Sequence, residues 1–391
     1  DTFVEMEPDT QHMLIKGFSD NELKEVVDEL YVDDAVDLVE EMPANVVKRI
    51  LIQADAEKRK MINTILQYPD DSAGSIMTTE FVELRPKMTA EEAILHLRRS
   101  GINKETINNC YICAKGRQLM GVVTIRDLIM ASSEETMEDL MEENIISVST
   151  LEDQETVARQ FSKYGFLAMP VVDREERLVG IVTIDDVLDV MEEETTEDIE
   201  KMAAIVPADK PYLKQTTFDL WKSRMPWLLL LMISATFTGF IITSFEDALS
   251  KYVVLTAYIP MLMDTGGNSG SQASVTVIRG ISLKEVEFRD IFRVIWKEVR
   301  VALLCGLTLA VCNFGKLLLV DHLTILVAFT ICLTLFVTIF CAKVVGCTLP
   351  LIASRLGFDP AVMASPFITT IVDAISLLVY FQFATRLLGL G

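Results

Sequence analysis

One carboxylate, Asp373, lies in a stretch of sequence, 361–385, that carries no other charged side chain. A helix of this length can cross the hydrocarbon core of a bilayer, which takes about 20 mostly apolar residues. An aspartate near the middle of such a helix costs about 2.5–3.5 kcal/mol on insertion scales, and intramembrane carboxylates usually serve ion or proton pathways. Asp373 therefore predicts a pathway of this kind, with a purely structural aspartate as the alternative.

Two sets of polar side chains recur every four residues, a spacing that places each set on one face of a helix. One set joins Asp373 to two hydroxyl residues, and the other lies in the mostly apolar segment 252–278. Two such faces could line a water-filled path for an ion. The first set is Ser365, Thr369 and Asp373, and the second is Asp264, Asn268, Gln272 and Thr276.

The segment 265–272 between these polar positions is rich in glycine and serine. Small residues allow close helix approach and can leave backbone carbonyls free to contact a hydrated ion, so Gly266 and Gly267 are also candidates for the ion path. The alternative is that Gly266 and Gly270 form only a helix-packing pair, while the polar amides bond across helices.

Charge divides the chain into two unlike halves. Residues 1–209 carry 46 acidic against 20 basic side chains, a net charge of −26, whereas residues 210–391 carry 11 against 15, a net charge of +4. So acidic a half would repel nucleic acid and attract cations as ligands or regulators. The alternative is that the acidity serves only solubility.

The seven cysteines do not form a disulfide framework, since five of them fall within apolar segments. Cys110 and Cys113 form a C-x-x-C pair, but with no second pair and only three histidines in the chain they are expected to be strand residues. The sequence also offers no evident nucleophile–base pair or phosphate-binding loop. An enzyme is therefore not expected.

Short amphipathic helices are predicted over 20–68, with one pattern ending at Pro43 and another resuming over 46–66. Further on, the segment 121–129 is echoed 59 residues later by 180–188, each as a strand followed by the start of a helix. With the preceding helical and strand patterns, these repeats predict two tandem β-α-β-β-α units.

The repeated units resemble a pair of CBS domains, regulatory modules that often bind adenosine nucleotides or metal ions. In that family a Thr-x-x-Asp at the strand–helix junction can contact a ribose, which makes Thr124 with Asp127 and Thr183 with Asp186 candidates for binding ATP or another adenine nucleotide. Equally, these residues could only cap the following helices.

Five apolar segments follow an acidic connector and basic residues at the membrane edge. Pro350 is expected to break the fourth segment near its end. Because the loop 279–300 is rich in lysine and arginine, the positive-inside rule puts this loop and the soluble half in the cytosol and the C-terminus outside. The expected segments are 226–245, 252–278, 298–320, 322–349 and 360–388.

With a helical module, a CBS pair, a charged connector and five apolar segments in this order, the whole chain resembles the MgtE family of magnesium channels. The segment 260–272 is similar to the family's Pro-containing Gly-Gly-Asn-x-Gly-x-Gln signature, and 366–373 matches the motif whose aspartate is the pore ion ligand. The resemblance implies a multidomain fold in a cell membrane and a homodimer among lipids, with the pore on its two-fold axis. The expected parts are a helical module (1–69), a first and a second CBS domain (70–136 and 137–191), a connecting helix (192–225) and five membrane helices (226–391).

The resemblance further implies a channel for Mg²⁺ that is closed when cytosolic Mg²⁺ binds acidic faces around the connecting helix. Mg²⁺ suits such a pore because it keeps several waters and is held by one or two carboxylates. Without a motor motif, flow down the electrochemical gradient is expected. The positions that match the regulatory sites are Asp186, Asp189, Glu194, Glu197, Asp198 and Asp359.

Two departures from the family pattern and two rival functions accompany this hypothesis. The helical module is expected to be shorter than usual, and Ser365 and Asp264 replace other residues found in some members, which could shift the ion preference. One rival is a transporter of Co²⁺ or Mn²⁺, since Mn²⁺ also accepts carboxylate and water ligands. The other is a membrane-anchored CBS sensor of nucleotides that transports nothing.

Overall fold

The structure, a computed structural model, describes residues 3–4, 6, 8–208, 212–363 and 365–389, without the side chains of residues 8, 103, 247–249 and 365. The chain divides into two compact units, Asp1–Glu194 and Thr195–Gly391. The first unit has a large apolar core shared by its helices and one of its sheets. The second unit is helical throughout its regular structure among the described residues.

Five short helices form the predicted helical module. Ser19 begins the second with a capping box, in which its hydroxyl accepts from the Glu22 amide and the Glu22 carboxylate accepts from the Ser19 amide. The third helix ends just before Pro43 as expected, and the pattern over 46–66 is divided at Asp55, whose side chain caps a new helix. The helices are α1 (Pro8–Gly17), α2 (Asp20–Glu29), α3 (Val32–Glu41), α4 (Ala44–Gln53) and α5 (Ala56–Ile65).

Two three-stranded sheets confirm the predicted pair of β-α-β-β-α units. In each sheet the first strand pairs parallel with the second, and the second pairs antiparallel with the third. Cys110 and Cys113 are buried strand residues, as predicted. The strands are β1 (Val82–Leu84), β2 (Asn109–Cys113), β3 (Leu119–Thr124), β4 (Val148–Ser149), β5 (Ala168–Val172) and β6 (Leu178–Thr183); the helices are α6 (Ala90–Ser100), α7 (Ile125–Met130), α8 (Met137–Leu140) and α9 (Gln154–Tyr164).

The segment 192–225 is not the single connecting helix that the sequence predicts. Helix α10 (Ile184–Met202) starts directly after β6 and contains the first part of the segment. The next α-helix, α11 (Thr217–Ser244), begins with a capping box between Thr216 and Asp219 and contains the rest. The prediction failed because two prolines in the intervening stretch and this cap interrupt a run of good helix formers.

Four helices of the second unit are long and apolar enough to cross a membrane: α11 and the stretches 288–319, 325–356 and 360–387. Helix α13 (Ile259–Ser282) has 24 residues, about 36 Å of rise, but its polar face makes it less apolar than those four helices. The fifth span therefore stays a prediction. The remaining helices of this unit are α12 (Glu246–Lys251), α13 (Ile259–Ser282), α14 (Ile291–Leu319), α15 (Ile325–Leu356) and α16 (Ser365–Leu387).

Helix α15 is the centre of the second unit and packs against α13, α14 and α16. Contrary to the prediction, Pro350 does not break this helix, which continues to Leu356. Pro350 is buried, and prolines are tolerated within membrane helices because neighbouring helices and Ser or Thr side chains compensate for the freed backbone groups. The fold as a whole confirms the predicted class: a helical module, a CBS-like α/β pair and a helical C-terminal region.

Candidate functional site

Helices α13 and α16 border a partly open cleft of about 420 Å³ in the second unit. It brings together five of the predicted ion-path residues, three from the first of these helices and two from the second. Apolar side chains near the start of α13 complete its wall. The predicted members are Asp264, Gly267, Asn268, Thr369 and Asp373, and the additional ones are Ile259, Pro260 and Met263.

The carboxylate of Asp373 lacks the partner that a buried acid normally has, and a second, exposed carboxylate, Asp264, lies beside it. Oδ1 of Asp373 is buried and, among the described residues, accepts no hydrogen bond. Asp264 is close enough to Asp373 for their negative charges to repel each other. No basic residue lines the cleft in the described part of the chain. A cation placed between the two carboxylates would relieve both the repulsion and the missing hydrogen bond.

Neutral oxygen donors stand beside these carboxylates. The Thr369 hydroxyl donates to the carbonyl of Pro366 at 2.9 Å, which leaves its oxygen able to accept from water. Asn268 is exposed on the same face of α13 as Asp264, and Gln272 and Thr276 continue that exposed face. Carboxylate, amide and hydroxyl oxygens form a donor set for a hard cation that keeps part of its water shell.

Two of the predicted ion-path residues, Gly266 and Gln272, do not line the cleft, and a third cannot be placed. Gly266 faces α15 instead, and a Cβ there would lie 2.6 Å from Cγ2 of Thr338, so this glycine permits helix contact. Gln272 lies further along α13, outside the lining. Ser365 begins α16, but its side chain lies outside the described part of the structure. The alternative of a helix-packing role is thus the better description of Gly266.

Sequence reasoning missed a third polar row, on α15. Thr330, Thr334 and Thr338 are fully buried and again recur every four residues, so the signal used for the other two helices could have found them. The first two hydroxyls donate to the carbonyl four residues earlier. Thr338 lies against Gly266 through its methyl group, and its Oγ1 has no hydrogen-bond partner among the described residues.

A buried ion pair between α14 and α15 was also missed. Nζ of Lys343 lies 3.7 Å from Oε2 of Glu298, and both side chains are almost fully shielded. Lys343 occurs alone within a long run of apolar residues, so a search for an opposite charge on a neighbouring helix would have marked it with Glu298. Their contact neutralises two charges that would be costly apart.

Of the six predicted regulatory carboxylates, the first three lie in the first unit. Asp186 is half-buried near Asp33 of α3 and near Glu105, two residues that the sequence analysis did not single out. Glu194 accepts a hydrogen bond of 3.0 Å from Nε2 of Gln154. Asp189 is exposed on α10.

The carboxylates around Asp186 are protonated more readily than ordinary ones. Burial, and then the charges of Asp186 and Glu105, raise the pKa of Asp33 well above its usual range. Burial, and then the charges of Asp185 and Asp186, raise the pKa of Glu105 to about 7. Burial raises the pKa of Asp186 to about 6, although the hydrogen bond from Thr183 lowers it. A cation bound among these groups would remove their mutual repulsion.

The other three, Glu197, Asp198 and Asp359, lie in the second unit. Two of them share one lysine: Nζ of Lys201 is 2.6 Å from Oε1 of Glu197 and 2.8 Å from Oδ2 of Asp359. Burial lowers the pKa of Lys201, but the hydrogen bonds and charges of Asp359 and Glu197 outweigh that effect and raise it overall. Within the described ranges, no group of three or more acidic, histidine or cysteine side chains is arranged to hold a metal ion.

Both predicted nucleotide contacts act as helix caps. The Thr124 hydroxyl and the Asp127 carboxylate bond to each other and to each other's amides at the start of α7. In the second repeat, the hydroxyl and amide of Thr183 both donate to the Asp186 carboxylate. Asp127 is exposed, whereas Thr183 is buried. Capping, the alternative considered from the sequence, thus accounts for all four residues.

Comparisons with known families cover most of the chain. Residues 1–71 match the MgtE intracellular N domain, and residues 73–134 and 137–193 match the CBS domain. Residues 259–383, which contain the whole cleft, match a family described as a divalent cation transporter. The order of these domains and the family matches therefore place the chain in a class of divalent cation transporters, which are not enzymes.

Relatives that match nearly the whole chain identify the family within this class of transporters. The magnesium transporter MgtE of Thermus thermophilus is 39% identical over 91% of this chain and 78% of its own length. The magnesium transporter MgtE of Bacillus subtilis is 35% identical over 98% of this chain and 85% of its own length. The chain belongs to the MgtE family of magnesium transporters.

Among solved structures, the cytosolic domain of the Mg²⁺ channel MgtE in complex with ATP is similar to this chain. It has 38% sequence identity and a TM-score of 0.46, with 48% of this chain and 77% of that chain covered.

Proposed function

We propose that the chain passes Mg²⁺ into the cytosol down its electrochemical gradient, along a path bordered by the cleft between α13 and α16. The observation that carries the proposal is the buried, unpartnered Oδ1 of Asp373 beside the second carboxylate of Asp264. Asn268 and Thr369 add neutral oxygens to the same cleft. An inside-negative potential favours entry of each charge by about 2.3 kcal/mol per 100 mV.

Mg²⁺ suits this donor set better than Ca²⁺ does. Ca²⁺ takes six to eight oxygen ligands, whereas Mg²⁺ retains several waters and needs only one or two carboxylates. The cleft offers two carboxylates, one amide and one hydroxyl in a space of about 420 Å³, which leaves room for bound waters. A hydrated ion could then move past the carboxylates without losing its whole water shell.

A homodimer is part of the proposal, with the polar face of α13 toward the two-fold axis. Asp264, Asn268, Gln272 and Thr276 are all exposed on one chain, and a polar face within a membrane needs water or a partner beside it. A second copy would supply the opposite wall of the path. Helix α11 leaves large apolar side chains such as Phe237 and Phe240 exposed, which suits contact with lipid.

Feedback by cytosolic Mg²⁺ completes the mechanism. With the soluble half in the cytosol and the C-terminus outside, the acidic side chains along α10 would face the compartment that Mg²⁺ enters. The repulsion among Asp33, Glu105 and Asp186 supports a cation-dependent arrangement of the first unit. The regulatory ligands stay those of the sequence analysis: Asp186, Asp189, Glu194, Glu197, Asp198 and Asp359.

An adenine nucleotide at the CBS pair is the least supported part of the proposal. Thr124 with Asp127 is the better of the two candidate ribose contacts, because Asp127 is exposed whereas Thr183 is buried. Titration calorimetry with MgATP on the wild type and on Asp127→Asn tests this contact. Equal binding by the two proteins would exclude Asp127.

Influx into liposomes that contain the purified protein tests the transport function. A Mg²⁺ gradient and an inside-negative potential should drive Mg²⁺ entry, with Ca²⁺ much slower. Mn²⁺ and Co²⁺ are added as competitors and as substrates. Faster entry of either ion than of Mg²⁺ would favour a transporter of that ion, and no influx of any divalent ion would favour a sensor that transports nothing.

Neutralising two carboxylates of α10 tests the feedback. Glu197→Gln with Asp198→Asn should raise the cytosolic Mg²⁺ concentration that halves influx, by about tenfold, because two anionic groups no longer attract the ion. Glu25→Gln with Glu29→Gln removes the same charge from the exposed face of α2 and is the matched control. An unchanged Mg²⁺ dependence in the α10 variant would show that these residues are not part of the sensor.

A further inference from the structure

The C-terminal end of α10 packs against other helices of the second unit. Met202, the last residue of the helix, packs against Ile278 near the end of α13 and Ala361 just before α16, both of which are buried. Beyond the helix, the Val206 amide donates to the carbonyl of Ser223 in α11. The same short stretch of chain thus contacts α13, α11 and the turn that leads into α16.

Next to this apolar contact, a lysine forms two ion pairs. Nζ of Lys201 reaches Oε1 of Glu197 one turn earlier, at 2.6 Å, and Oδ2 of Asp359 at 2.8 Å. The other carboxylate oxygen of Asp359, Oδ1, accepts from the Ala361 amide at 2.8 Å. Asp359 is therefore oriented toward the lysine by the turn that leads into α16.

This arrangement differs from an ordinary surface ion pair in two ways. The Lys201 side chain is only 23% exposed, and it joins two elements that are far apart in the sequence. It also lies between two carboxylates proposed as ligands of regulatory Mg²⁺. A side-chain ammonium thus occupies the position at which a cation would bridge α10 to the entrance of α16, and it supplies one positive charge where Mg²⁺ would supply two.

We infer that Lys201 is a resident cation that holds the end of α10 on the entrance to α16 when Mg²⁺ is absent, and that Mg²⁺ can replace it between Glu197 and Asp359. The inference rests on the proposed feedback and specifies its regulation. Because the lysine already neutralises part of this site, the chain stays partly closed at low Mg²⁺. The lysine also competes with Mg²⁺, which raises the concentration of Mg²⁺ that is needed for closure.

Hydrogen–deuterium exchange of the full chain in detergent tests the inference without relying on transport. The amides of residues 199–206 and 358–363 are followed in EDTA and in saturating Mg²⁺. The variants are Lys201→Met, which removes the charge, Lys201→Arg, which keeps it, and Asp359→Asn, which removes the carboxylate shared by lysine and Mg²⁺. Lys222→Met, at an exposed position of α11, is the matched control.

In EDTA, Lys201→Met should exchange at least about threefold faster than the wild type in both segments, because the charged contact is lost. Saturating Mg²⁺ should restore wild-type protection in this variant but not in Asp359→Asn. Lys201→Arg and Lys222→Met should behave like the wild type. Wild-type protection of Lys201→Met in EDTA would overturn the inference, and so would failure of Mg²⁺ to restore it.

Influx measurements separate this inference from the proposed feedback. If the wild type is suppressed by cytosolic Mg²⁺, Lys201→Met should show higher influx than the wild type at low Mg²⁺ and equal suppression at high Mg²⁺. Suppression of the wild type with unchanged influx of Lys201→Met at low Mg²⁺ would overturn the role of the lysine alone. A wild type that transports Mg²⁺ without any suppression would overturn the feedback itself.

Discussion

Single carboxylates without enough partners recur at both ends of this molecule. Asp33 is 8% exposed, and its Oδ1 has no hydrogen-bond partner among the described residues. Asp373 has an equally unpartnered oxygen in the cleft. Burying an unpaired charge costs free energy, so a buried carboxylate of this kind is stabilised by a proton or by a bound cation. At the residue scale, each of the two units therefore contains a carboxylate oxygen whose charge a bound cation could compensate.

The pH dependence of stability should reveal the cost of burying the charged Asp33 carboxylate beside other acidic groups. Because burial and neighbouring charges raise the pKa of Asp33 and bring that of Glu105 to about 7, the folded chain holds protons that the unfolded chain has lost. The resulting stabilisation is complete below about pH 4, the unfolded pKa, and is lost as the pH rises toward 7. In EDTA, the thermal unfolding midpoint of the soluble unit should therefore fall between pH 5 and 8.

Asp33→Asn should remove its own part of this dependence. The uncharged amide has a similar shape, so the variant should be more stable than the wild type at pH 8 by about 1–2 kcal/mol and nearly equal to it at pH 5. Asp28→Asn, an exposed position on α2, is the control. If Asp33→Asn were less stable than the wild type at pH 8, the assignment of strain to this carboxylate would be contradicted.

At the scale of helices, contact between α13 and α15 depends on the absence of side chains. A Cβ on Gly266 would lie 2.6 Å from Thr338 and 3.0 Å from Val372, so this glycine is enclosed by two neighbouring helices. The membrane offers little hydrophobic drive for helix association, and close packing supplies much of it. The position of the cleft residues on α13 therefore depends on this contact.

Gly266→Ala should lower the stability of the membrane unit by about 1–3 kcal/mol, because the added methyl group overpacks the contact. Thermal unfolding in detergent measures the change. Gly315→Ala on α14 is the matched control, since a Cβ there meets nothing within 4 Å. Equal effects of the two substitutions would show that the close approach at Gly266 is not required.

The buried pair of Lys343 and Glu298 should behave as a unit that joins α14 to α15. Lys343→Met alone leaves Glu298 buried and uncompensated, so it should destabilise the protein by about 3–5 kcal/mol, whereas adding Glu298→Gln should recover most of the loss. Lys297→Met, at an exposed position of α14, should be nearly neutral. Simple addition of the two single effects in the double variant would refute the coupling.

The sequence predicted those elements whose local pattern agrees with their environment. Helical periodicity, the repeat of strand and helix, and polar residues every four positions on α13 and α16 led directly to the fold and to five residues of the cleft. Sequence reasoning failed where contacts between elements that are distant in the chain determine the structure. The side of α13 on which Gly266 lies, the continuation of α15 through Pro350 and the partners of Lys201 all depend on neighbouring helices that one segment does not specify.

For the whole molecule, the proposed feedback needs a link between the acidic first unit and the cleft of the second unit. Helix α10 begins directly after β6 of the second CBS domain and ends beside α13 and the entrance to α16. Under the proposed feedback, a cation-dependent change in the first unit would be passed along this one continuous helix. A pair of such chains would bring two copies of Asp264 and Asp373 around the same ion.

The most direct test of this account is Mg²⁺ influx into liposomes carrying Asp373→Asn, beside the wild type and the exposed control Glu285→Gln. Asp373→Asn should lose at least about nine-tenths of the influx at low cytosolic Mg²⁺, because the amide cannot balance the charge of the ion. The control should retain wild-type influx, and both variants should purify with the same oligomeric state. Wild-type influx through Asp373→Asn would contradict the central claim that this carboxylate lines the ion path.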